Sequence, residues 1–370
     1  MMATSFVRMS PSVPVRSPAT AGPRGPVAPP MRASPARAAA GIDASRCLHY
    51  RSDEAWDEGV LRDTLGELAE VTAPAGFPHI VILPGFGNDT SDYTAPFGAE
   101  GTGLAHELRR RGFRVSVVGL ARKDWFGVAR AIFSLAYWRG TATVDPGYTW
   151  YLDKVGEAVR DAAAEGAGEV ALLGHSAGGW LGRAFLGAQR EGGAGGPAVR
   201  VMVSLGTPHS APPKDSGIRD MTGGAVGWVS QRWPGAFFEE DVSYVSVSGR
   251  SVRGGLRDDL SKQELEALRE SGAGEVRGMT QYERMRLSKY ALGSYEQVCG
   301  EGASVEGDCV VPCRSALLEG TRGVLLDGVF HSMSRVGGYG EEATVPWYGS
   351  ARVVDAWLSV VVDEWAARSD

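Results

Sequence analysis

The 370-residue sequence lacks the features that mark membrane-spanning, metal-binding and nucleic-acid-binding proteins. It has no run of about 18 uninterrupted apolar residues, which argues against a membrane span. Its four cysteines do not show the paired C-x-x-C spacing of a zinc or thioredoxin-type site, so we expect no metal. Cys299, Cys309 and Cys313 could be free thiols or include a disulfide. Acidic residues outnumber basic ones by 44 to 38, so nucleic acid is not an expected partner.

The first forty residues contain no acidic residue, but they include eight prolines and five arginines. This composition is typical of an organelle transit peptide, and the prolines interrupt every apolar stretch that a secretory signal would need. We therefore expect residues 1–40 to be a disordered transit peptide. The chloroplast is the first choice of destination because the stretch is Pro-rich rather than amphipathic, the mitochondrion is the alternative, and an untargeted tail is also open.

From residue 41 to 370, short apolar runs alternate with longer helix-compatible stretches, and the last of these covers 351–367. Strands separated by helices need crossover connections, so the sequence predicts one α/β domain with a mainly parallel sheet and helices on both faces. Ligand sites in such sheets lie beyond the carboxyl ends of the strands, which places 84–88, Ser176, His209 and His331 on one rim. The six predicted strands are 79–83, 113–120, 169–173, 199–205, 242–248 and 323–330.

Two segments depart from this alternation. Residues 121–150 are dense in aromatic side chains, which is consistent with a lid, with an ordinary buried helix, or with a segment that dips into a lipid interface. We therefore consider peripheral membrane contact. Residues 250–312 form a long, charged, Gly-rich insertion before the last strand, and we expect it to carry the acid loop.

The sequence Gly174-His-Ser-Ala-Gly178 follows an apolar run and precedes a helix-compatible stretch. This strand, turn and helix order is the context of a nucleophile elbow, in which small flanking residues let a strained turn expose a serine hydroxyl. The alternative is a Gly-rich turn that only closes a βα unit. We predict that Ser176 is the nucleophile.

A serine hydroxyl needs a histidine base, which a carboxylate holds in one tautomer. In the α/β-hydrolase arrangement the order along the chain is serine, acid, histidine. Only His209 and His331 follow Ser176. His209 comes too early to leave room for an acid loop, so we predict His331 as the base and expect His209 to shape the pocket floor.

The acid has several candidates. Asp327 lies four residues before His331 on the same strand, roughly 13 Å away at the strand rise, and is excluded. Asp241 precedes its strand and should lie at the opposite end of the sheet. Asp258, Asp259 and Asp308 remain, and we favour Asp308 because a glycine precedes it and an apolar, Pro-terminated segment follows it.

The oxyanion hole needs backbone N–H groups aimed at the developing negative charge. We predict that the amides of Ala177 and Phe86 provide them, since one follows the nucleophile and the other lies in the glycine loop after the first predicted strand. His175 and Trp125 are expected to line the substrate pocket, together with His209.

Several motifs match a known group of proteins. They are Leu83-Pro-Gly-Phe-Gly-Asn88, Asp124-Trp125, Tyr137-Trp-Arg-Gly140, Trp150-Tyr-Leu152, Gly174-His-Ser-Ala-Gly-Gly179, Leu205-Gly-Thr-Pro-His209, Tyr295-Glu-Gln-Val-Cys299, Gly307-Asp308, Val311-Pro312, Leu326-Asp-Gly-Val-Phe-His-Ser332 and Pro346-Trp-Tyr-Gly-Ser350. In these motifs the chain resembles the α/β-hydrolase superfamily, and from about residue 75 to 367 it resembles a plant and algal plastid branch of lipase-like proteins. The resemblance implies a triad of Ser176, Asp308 and His331. It also implies an acid loop that usually reads Gly-Asp-Gly, whereas Cys309 follows Asp308 here.

The residues and the resemblance together predict a serine hydrolase that cleaves an acyl ester through an acyl-enzyme intermediate and needs no cofactor. A plastid glycerolipid is the expected substrate. A thioesterase or acyltransferase would use the same groups on another acyl donor or acceptor. A catalytically silent scaffold or receptor on the same fold is the alternative of another class.

Overall fold

Seven parallel strands form the main sheet in a computed structural model, which describes residues 47–50, 68–166, 168–193, 198–255, 263, 281–333 and 346–368. The order across the sheet is β1-β9-β6-β5-β4-β2-β3, and β7 and β8 pair separately as an antiparallel ribbon. The predicted parallel sheet is confirmed, with β1 as an additional edge strand. The strands are β1 (Cys47–Tyr50), β2 (His79–Leu83), β3 (Val115–Val117), β4 (Glu169–His175), β5 (Ala198–Leu205), β6 (Ser243–Arg250), β7 (Val252–Arg253), β8 (Glu306–Gly307) and β9 (Arg322–Asp327).

Helices cover both faces of the sheet, as predicted. The α-helices are α1 (Ser91–Thr94), α2 (Leu104–Arg110), α3 (Ala129–Ile132), α4 (Leu135–Trp138), α5 (Thr149–Ala164), α6 (Ala177–Glu191), α7 (Ala225–Arg232), α8 (Gln281–Cys299), α9 (Cys313–Ala316) and α10 (Ala351–Ala366). Successive residues of a strand face opposite sides of a sheet. Ile80 and Ile82 accordingly pack in one apolar cluster with α2 and α10, whereas Val81 and Leu83 pack in another with α5, α6 and α7.

The closing helix α10 shows why the local sequence folds as predicted. Its buried residues recur every three or four positions, which places them on one stripe facing the sheet. The helix begins directly after Ser350, and the predicted range of 351–367 exceeds the observed one by a single residue.

The two irregular segments have distinct structures. Residues 121–150 form a 3-10 helix (Arg122–Val128), α3, α4 and the start of α5, so they are not one buried helix. The insertion contributes β7, α8 and β8. Because β7 directly follows β6 and pairs with β8, the end of the insertion lies next to the end of β6. Asp258 and Asp259 lie outside the described residues, as does the predicted transit peptide.

Within the ranges that the structure describes, no helix combines the length and apolar composition needed to cross a bilayer. Cys299, Cys309 and Cys313 are free thiols, which resolves the alternative left open by their spacing.

Candidate active site

The serine of the Gly-x-Ser-x-Gly motif occupies a strained turn between β4 and α6. Ser176 has φ of 53° and ψ of −126°, a backbone conformation that non-glycine residues rarely adopt. A Cβ at Gly174 would collide with the backbone of Gly179, and one at Gly178 would collide with the carbonyl oxygen of Leu83. The two glycines of the motif are therefore required by packing, and the turn has the form predicted for a nucleophile elbow.

His331 and Asp308 are brought together at the carboxyl edge of the sheet. Nδ1 of His331 lies 2.8 Å from Oδ2 of Asp308, and the backbone N–H of His331 donates to the carbonyl of Asp308 at 2.9 Å. An ionised carboxylate only accepts hydrogen bonds, so Nδ1 carries the proton and Nε2 keeps its lone pair. This is the tautomer that a general base requires.

The carboxylate of Asp308 is fully buried and is held by four donors. Oδ1 accepts the amides of Val310 and Val311 at 3.0 and 2.7 Å, and Oδ2 accepts the Tyr348 hydroxyl at 2.7 Å in addition to His331. Burial, and secondly the charge of Asp308, raise the pKa of Tyr348 well above its usual value, so this hydroxyl stays protonated and donates. Both carboxylate oxygens of Asp308 are thus hydrogen-bonded inside the protein.

Asp308 reaches this position although 57 residues separate it from the end of β6 at Arg250. A Cβ on Gly249 would lie 3.0 Å from the Cβ of Asp308, so the acid is packed against the carboxyl end of that strand. Asp241 and Asp327, which the sequence excluded, are paired elsewhere with Arg190 and Arg250.

The residue after the acid has an unusual backbone. Cys309 has φ of 84°, the left-handed region in which glycine is favoured, and its side chain is fully buried. The motif variation at this position therefore does not prevent a positive φ angle. The amide of Cys309 donates to the Tyr295 hydroxyl at 2.9 Å, which fixes the loop against α8.

His175 lies between the glycine loop and the loop of the predicted base. The Tyr93 hydroxyl accepts from the amide of Gly85 and the side chain of Asn88, both at 2.9 Å, so its own proton is directed to Nδ1 of His175 at 2.8 Å. Nε2–H of His175 then donates to the carbonyl of His331 at 2.7 Å. Burial, and secondly the charge of His331, lower the pKa of His175 to about 3, so the ring is neutral.

The predicted oxyanion loop, residues 84–88, is in contact with the nucleophile elbow. A Cβ on Gly85 would lie 2.8 Å from the Cβ of Ser176, which places the next residue, Phe86, at the same rim as Ala177. Ala177 is the first residue of α6. The first amides of a helix have no acceptor within the helix, so they can donate to a negatively charged group that binds at its N-terminus. The residue before Phe86 thus contacts the serine whose next residue is Ala177, and the oxyanion hole itself stays a prediction.

Trp125 supports the oxyanion loop rather than presenting a free polar group. Its Nε1–H donates to the carbonyl of Asn88 at 2.8 Å, and its ring packs against Phe86 with centroids 5.1 Å apart. The Tyr151 hydroxyl donates to the carbonyl of Pro84 at 2.8 Å. The loop is thus held from both ends.

His209 lies in a buried polar group behind the site. Nη1 of Arg183 lies 3.4 Å from its Nδ1, and its Nε2 lies 2.9 Å from the hydroxyl of Ser204. A guanidinium only donates, so Nε2 carries the proton. Burial lowers the pKa of His209 well below its usual value and that of Arg183 to about 10. Both ring nitrogens are engaged by the protein, and a role for His209 in the pocket stays a prediction.

Tyr93, Tyr151 and Tyr348 were not predicted as site residues. Tyr151 and Tyr348 lie in motifs of the resemblance, but nothing in the local pattern assigns them a partner. Their contacts depend on strands and loops that are distant in sequence, so only the tertiary structure identifies them. Among the described residues, no group of three His, Cys, Asp or Glu side chains could hold a metal ion.

The parallel sheet, the elbow after β4 and the His331–Asp308 pair beyond β6 and β9 together define an α/β-hydrolase fold. The family described as PGAP1-like alpha/beta domain matches residues 149–285, which include the elbow. No curated protein sequence matches the chain.

Solved structures with a similar chain path include lipases and esterases. The mature form of lipase BlEst2 from Bacillus licheniformis is 15% identical, with 71% of this chain and 89% of that chain covered and a TM-score of 0.35. EstA from Clostridium botulinum is 14% identical, with 77% and 86% covered and a TM-score of 0.32. LpqC, a poly(3-hydroxybutyrate) depolymerase from Bordetella parapertussis, is 15% identical, with 72% and 77% covered and a TM-score of 0.31. At these TM-scores, the chemistry of the site has to be inferred from its own residues.

Proposed function

We propose that this protein is a serine hydrolase that cleaves carboxylic esters through an acyl-enzyme intermediate. The observation that carries the proposal is the His331–Asp308 pair, which is held in the tautomer of a general base. The carbonyl of His331 also accepts a hydrogen bond from His175, the residue directly before the strained Ser176. Ser176 is the nucleophile in this proposal, and the amides of Phe86 and Ala177 form the oxyanion hole.

In the first half-reaction, Oγ of Ser176 attacks the ester carbonyl carbon while Nε2 of His331 takes the hydroxyl proton. The carbonyl oxygen becomes an oxyanion, and Asp308 stabilises the imidazolium that forms. Collapse of the tetrahedral intermediate breaks the bond to the alcohol, which leaves with the proton from Nε2. Water then attacks the acyl-enzyme by the same route, and the carboxylic acid is released.

The test is labelling by a fluorophosphonate probe together with hydrolysis of p-nitrophenyl esters of increasing acyl length. We expect the wild type to be labelled and active, and Ser176→Ala to be neither, whereas Ser359→Ala, on α10, behaves as the wild type. We expect Asp308→Asn to lower kcat by on the order of 10⁴-fold because it disturbs the tautomer of His331. A wild-type protein that resists the probe as fully as Ser176→Ala would favour a catalytically silent scaffold.

We infer a plastid glycerolipid as the natural substrate. The Arg- and Pro-rich composition of residues 1–40 and the exposed aromatic side chains near the oxyanion loop support this choice. A fluorescent fusion would report the compartment. Lipid profiling after loss of the protein would report the substrate, and an unchanged plastid lipidome with altered acyl-thioester pools would favour a thioesterase.

A further inference from the structure

The segment after β3 exposes a group of large apolar side chains, which we call the apolar patch: Phe126, Ile132, Phe133, Leu135 and Trp138. Phe133 is 89% exposed and Phe126 is 80% exposed, and the patch spans only 13 residues of sequence. Single exposed apolar residues are ordinary, but five of them within so short a segment are typical of a surface that another molecule covers.

The backbone that carries the apolar patch is held by hydrogen bonds and a cation–π contact. Nε1–H of Trp138 donates to the carbonyl of Ile132 at 2.7 Å, and the guanidinium of Arg219 stacks over the Trp138 ring at 4.3 Å. Ser134 caps α4 through the amide of Tyr137. These contacts fix the backbone while the apolar side chains remain outside the core.

The patch adjoins the candidate active site. The backbone that carries it begins with Trp125, which binds the carbonyl of Asn88 and packs on Phe86. Phe86 itself is 63% exposed and contacts Trp125, the residue directly before Phe126 of the patch. The segment follows β3 and therefore lies at the carboxyl edge of the sheet, where the serine turn also lies.

The charge of this segment is opposite to that of the chain. The protein has a formal net charge of −6, but no acidic residue occurs from Trp125 to Val144. Arg130 and Arg139 are exposed within the same stretch, and Asp124, which directly precedes it, is paired with Lys154. Exposed apolar side chains and arginines in one stretch of sequence fit a surface that offers both hydrocarbon and negative charge.

We propose that the apolar patch and its cations dock the protein onto an anionic lipid bilayer, with the opening of the active site at the membrane surface. The aromatic and aliphatic side chains enter the boundary between headgroups and acyl chains, and Arg130 and Arg139 contact headgroup phosphates. That the docked site receives its ester from the bilayer rests on the proposed function, whereas the docking itself does not.

The experiment uses full-length Ser176→Ala protein, which leaves the vesicles intact, and co-sedimentation with vesicles of phosphatidylcholine alone or of equimolar phosphatidylcholine and phosphatidylglycerol. We expect preferential binding to the anionic vesicles. Adding Phe133→Ser and Leu135→Ser lowers binding by about tenfold or more on both vesicles, because two apolar side chains that enter the bilayer on docking are lost. Adding Arg130→Gln and Arg139→Gln lowers binding by about fivefold per arginine on the anionic vesicles only.

Matched controls are Tyr290→Ser, an exposed aromatic on α8, and the pair Arg160→Gln with Arg352→Gln. All are expected to bind as the parent does. A thermal unfolding midpoint within a few degrees of the parent shows that each variant is folded. The proposal is overturned if the parent binds neither kind of vesicle, or if the Phe133/Leu135 variant binds as well as Tyr290→Ser does. It is also overturned if the parent sediments in the absence of vesicles and the Phe133/Leu135 variant does not, because the patch would then mediate self-association. Because no activity is measured, failure of the ester-hydrolase proposal would leave this result unaffected.

Discussion

His175 contacts two loops that have to be placed relative to each other for acyl transfer. On one side it accepts the Tyr93 hydroxyl, which in turn holds Gly85 and Asn88 of the oxyanion loop. On the other side it donates to the carbonyl of His331. Because its pKa is lowered to about 3, the ring stays neutral and acts as a positioning residue rather than as an acid or base.

Replacing His175 by phenylalanine keeps a ring but leaves the Tyr93 hydroxyl proton without its acceptor and the His331 carbonyl without its donor. Two buried unpaired groups cost about 2 to 6 kcal/mol of unfolding free energy. We expect kcat on a soluble ester to fall about tenfold or more with little change in KM, and His175→Gln to recover part of the loss. The acid limb of the pH–rate profile should be the same in His175→Gln and wild type, and a shift of that limb would show that His175 titrates during catalysis.

Tyr348 acts on the acid rather than on the base. It donates to Oδ2 of Asp308 and accepts the amide of Gly249, both at 2.7 Å. In Tyr348→Phe the carboxylate of Asp308 loses one hydrogen-bond donor, so more of its negative charge acts on His331. We expect a loss of about 1 to 3 kcal/mol in unfolding free energy and an acid limb of the pH–rate profile that moves to higher pH. Tyr290→Phe is the matched control, and an unmoved acid limb in Tyr348→Phe would contradict this role.

At the scale of an element, the loop from β8 to α9 carries strain that can be measured. Cys309 adopts a φ of 84° while its side chain packs in a small cluster with Leu287, Tyr295 and Phe330. A residue with a Cβ pays roughly 1 to 2 kcal/mol for the left-handed region, whereas glycine does not. The backbone and the burial of the side chain therefore favour different residues.

We expect Cys309→Gly to be more stable than Cys309→Ala by about 1 kcal/mol, although alanine leaves the smaller cavity. Both variants lose the buried thiol, so their difference in stability reports the backbone conformation less the packing of the one methyl group that alanine keeps. The free energy of unfolding in urea measures it, and esterase activity should be retained in Cys309→Gly. An alanine variant as stable as the glycine variant would show that the loop relaxes away from a positive φ.

The extent to which elements were predictable depends on how local their determinants are. The elbow and β4 follow from a contiguous pattern, and His331 follows from its position after the last strand. The return of Asp308 to the end of β6 depends on a ribbon of two-residue strands, which is too short to give a periodic signal. Residues 121–150 are dense in aromatics in the sequence, but which of them are exposed is decided by tertiary packing, and whether they act as a lid stays a prediction.

At the scale of the whole molecule, three of the four buried histidines among the described residues make folding depend on pH. The pKa values of His79, His175 and His209 are all lowered, in each case mainly by burial. A histidine that is neutral when folded but binds a proton when unfolded makes stability fall as pH drops through the unfolded pKa of about 6.5. His175 alone, with a folded pKa of about 3, costs about 2 kcal/mol between pH 7 and pH 5.

His79 allows this effect to be tested away from the candidate site. It begins β2, is 3% exposed, and neither ring nitrogen has a hydrogen-bond partner within the described residues. Its Nδ1 lies 3.8 Å from a carboxylate oxygen of Glu165, whose charge opposes the lowering of its pKa. Changes at these two positions should therefore alter the pH dependence of stability in opposite directions.

We expect His79→Leu to raise the unfolding free energy at pH 7 by about 1 to 2 kcal/mol, because an unpaired buried ring is replaced by an apolar side chain. It should also reduce the loss of stability between pH 7 and pH 5, since one proton-binding group of the unfolded chain is removed. Glu165→Gln should steepen that loss, and it should have no such effect when combined with His79→Leu. Urea unfolding of the four proteins at both pH values measures this cycle, and a His79→Leu variant that loses as much stability as the wild type would assign the pH dependence to His175 and His209 alone.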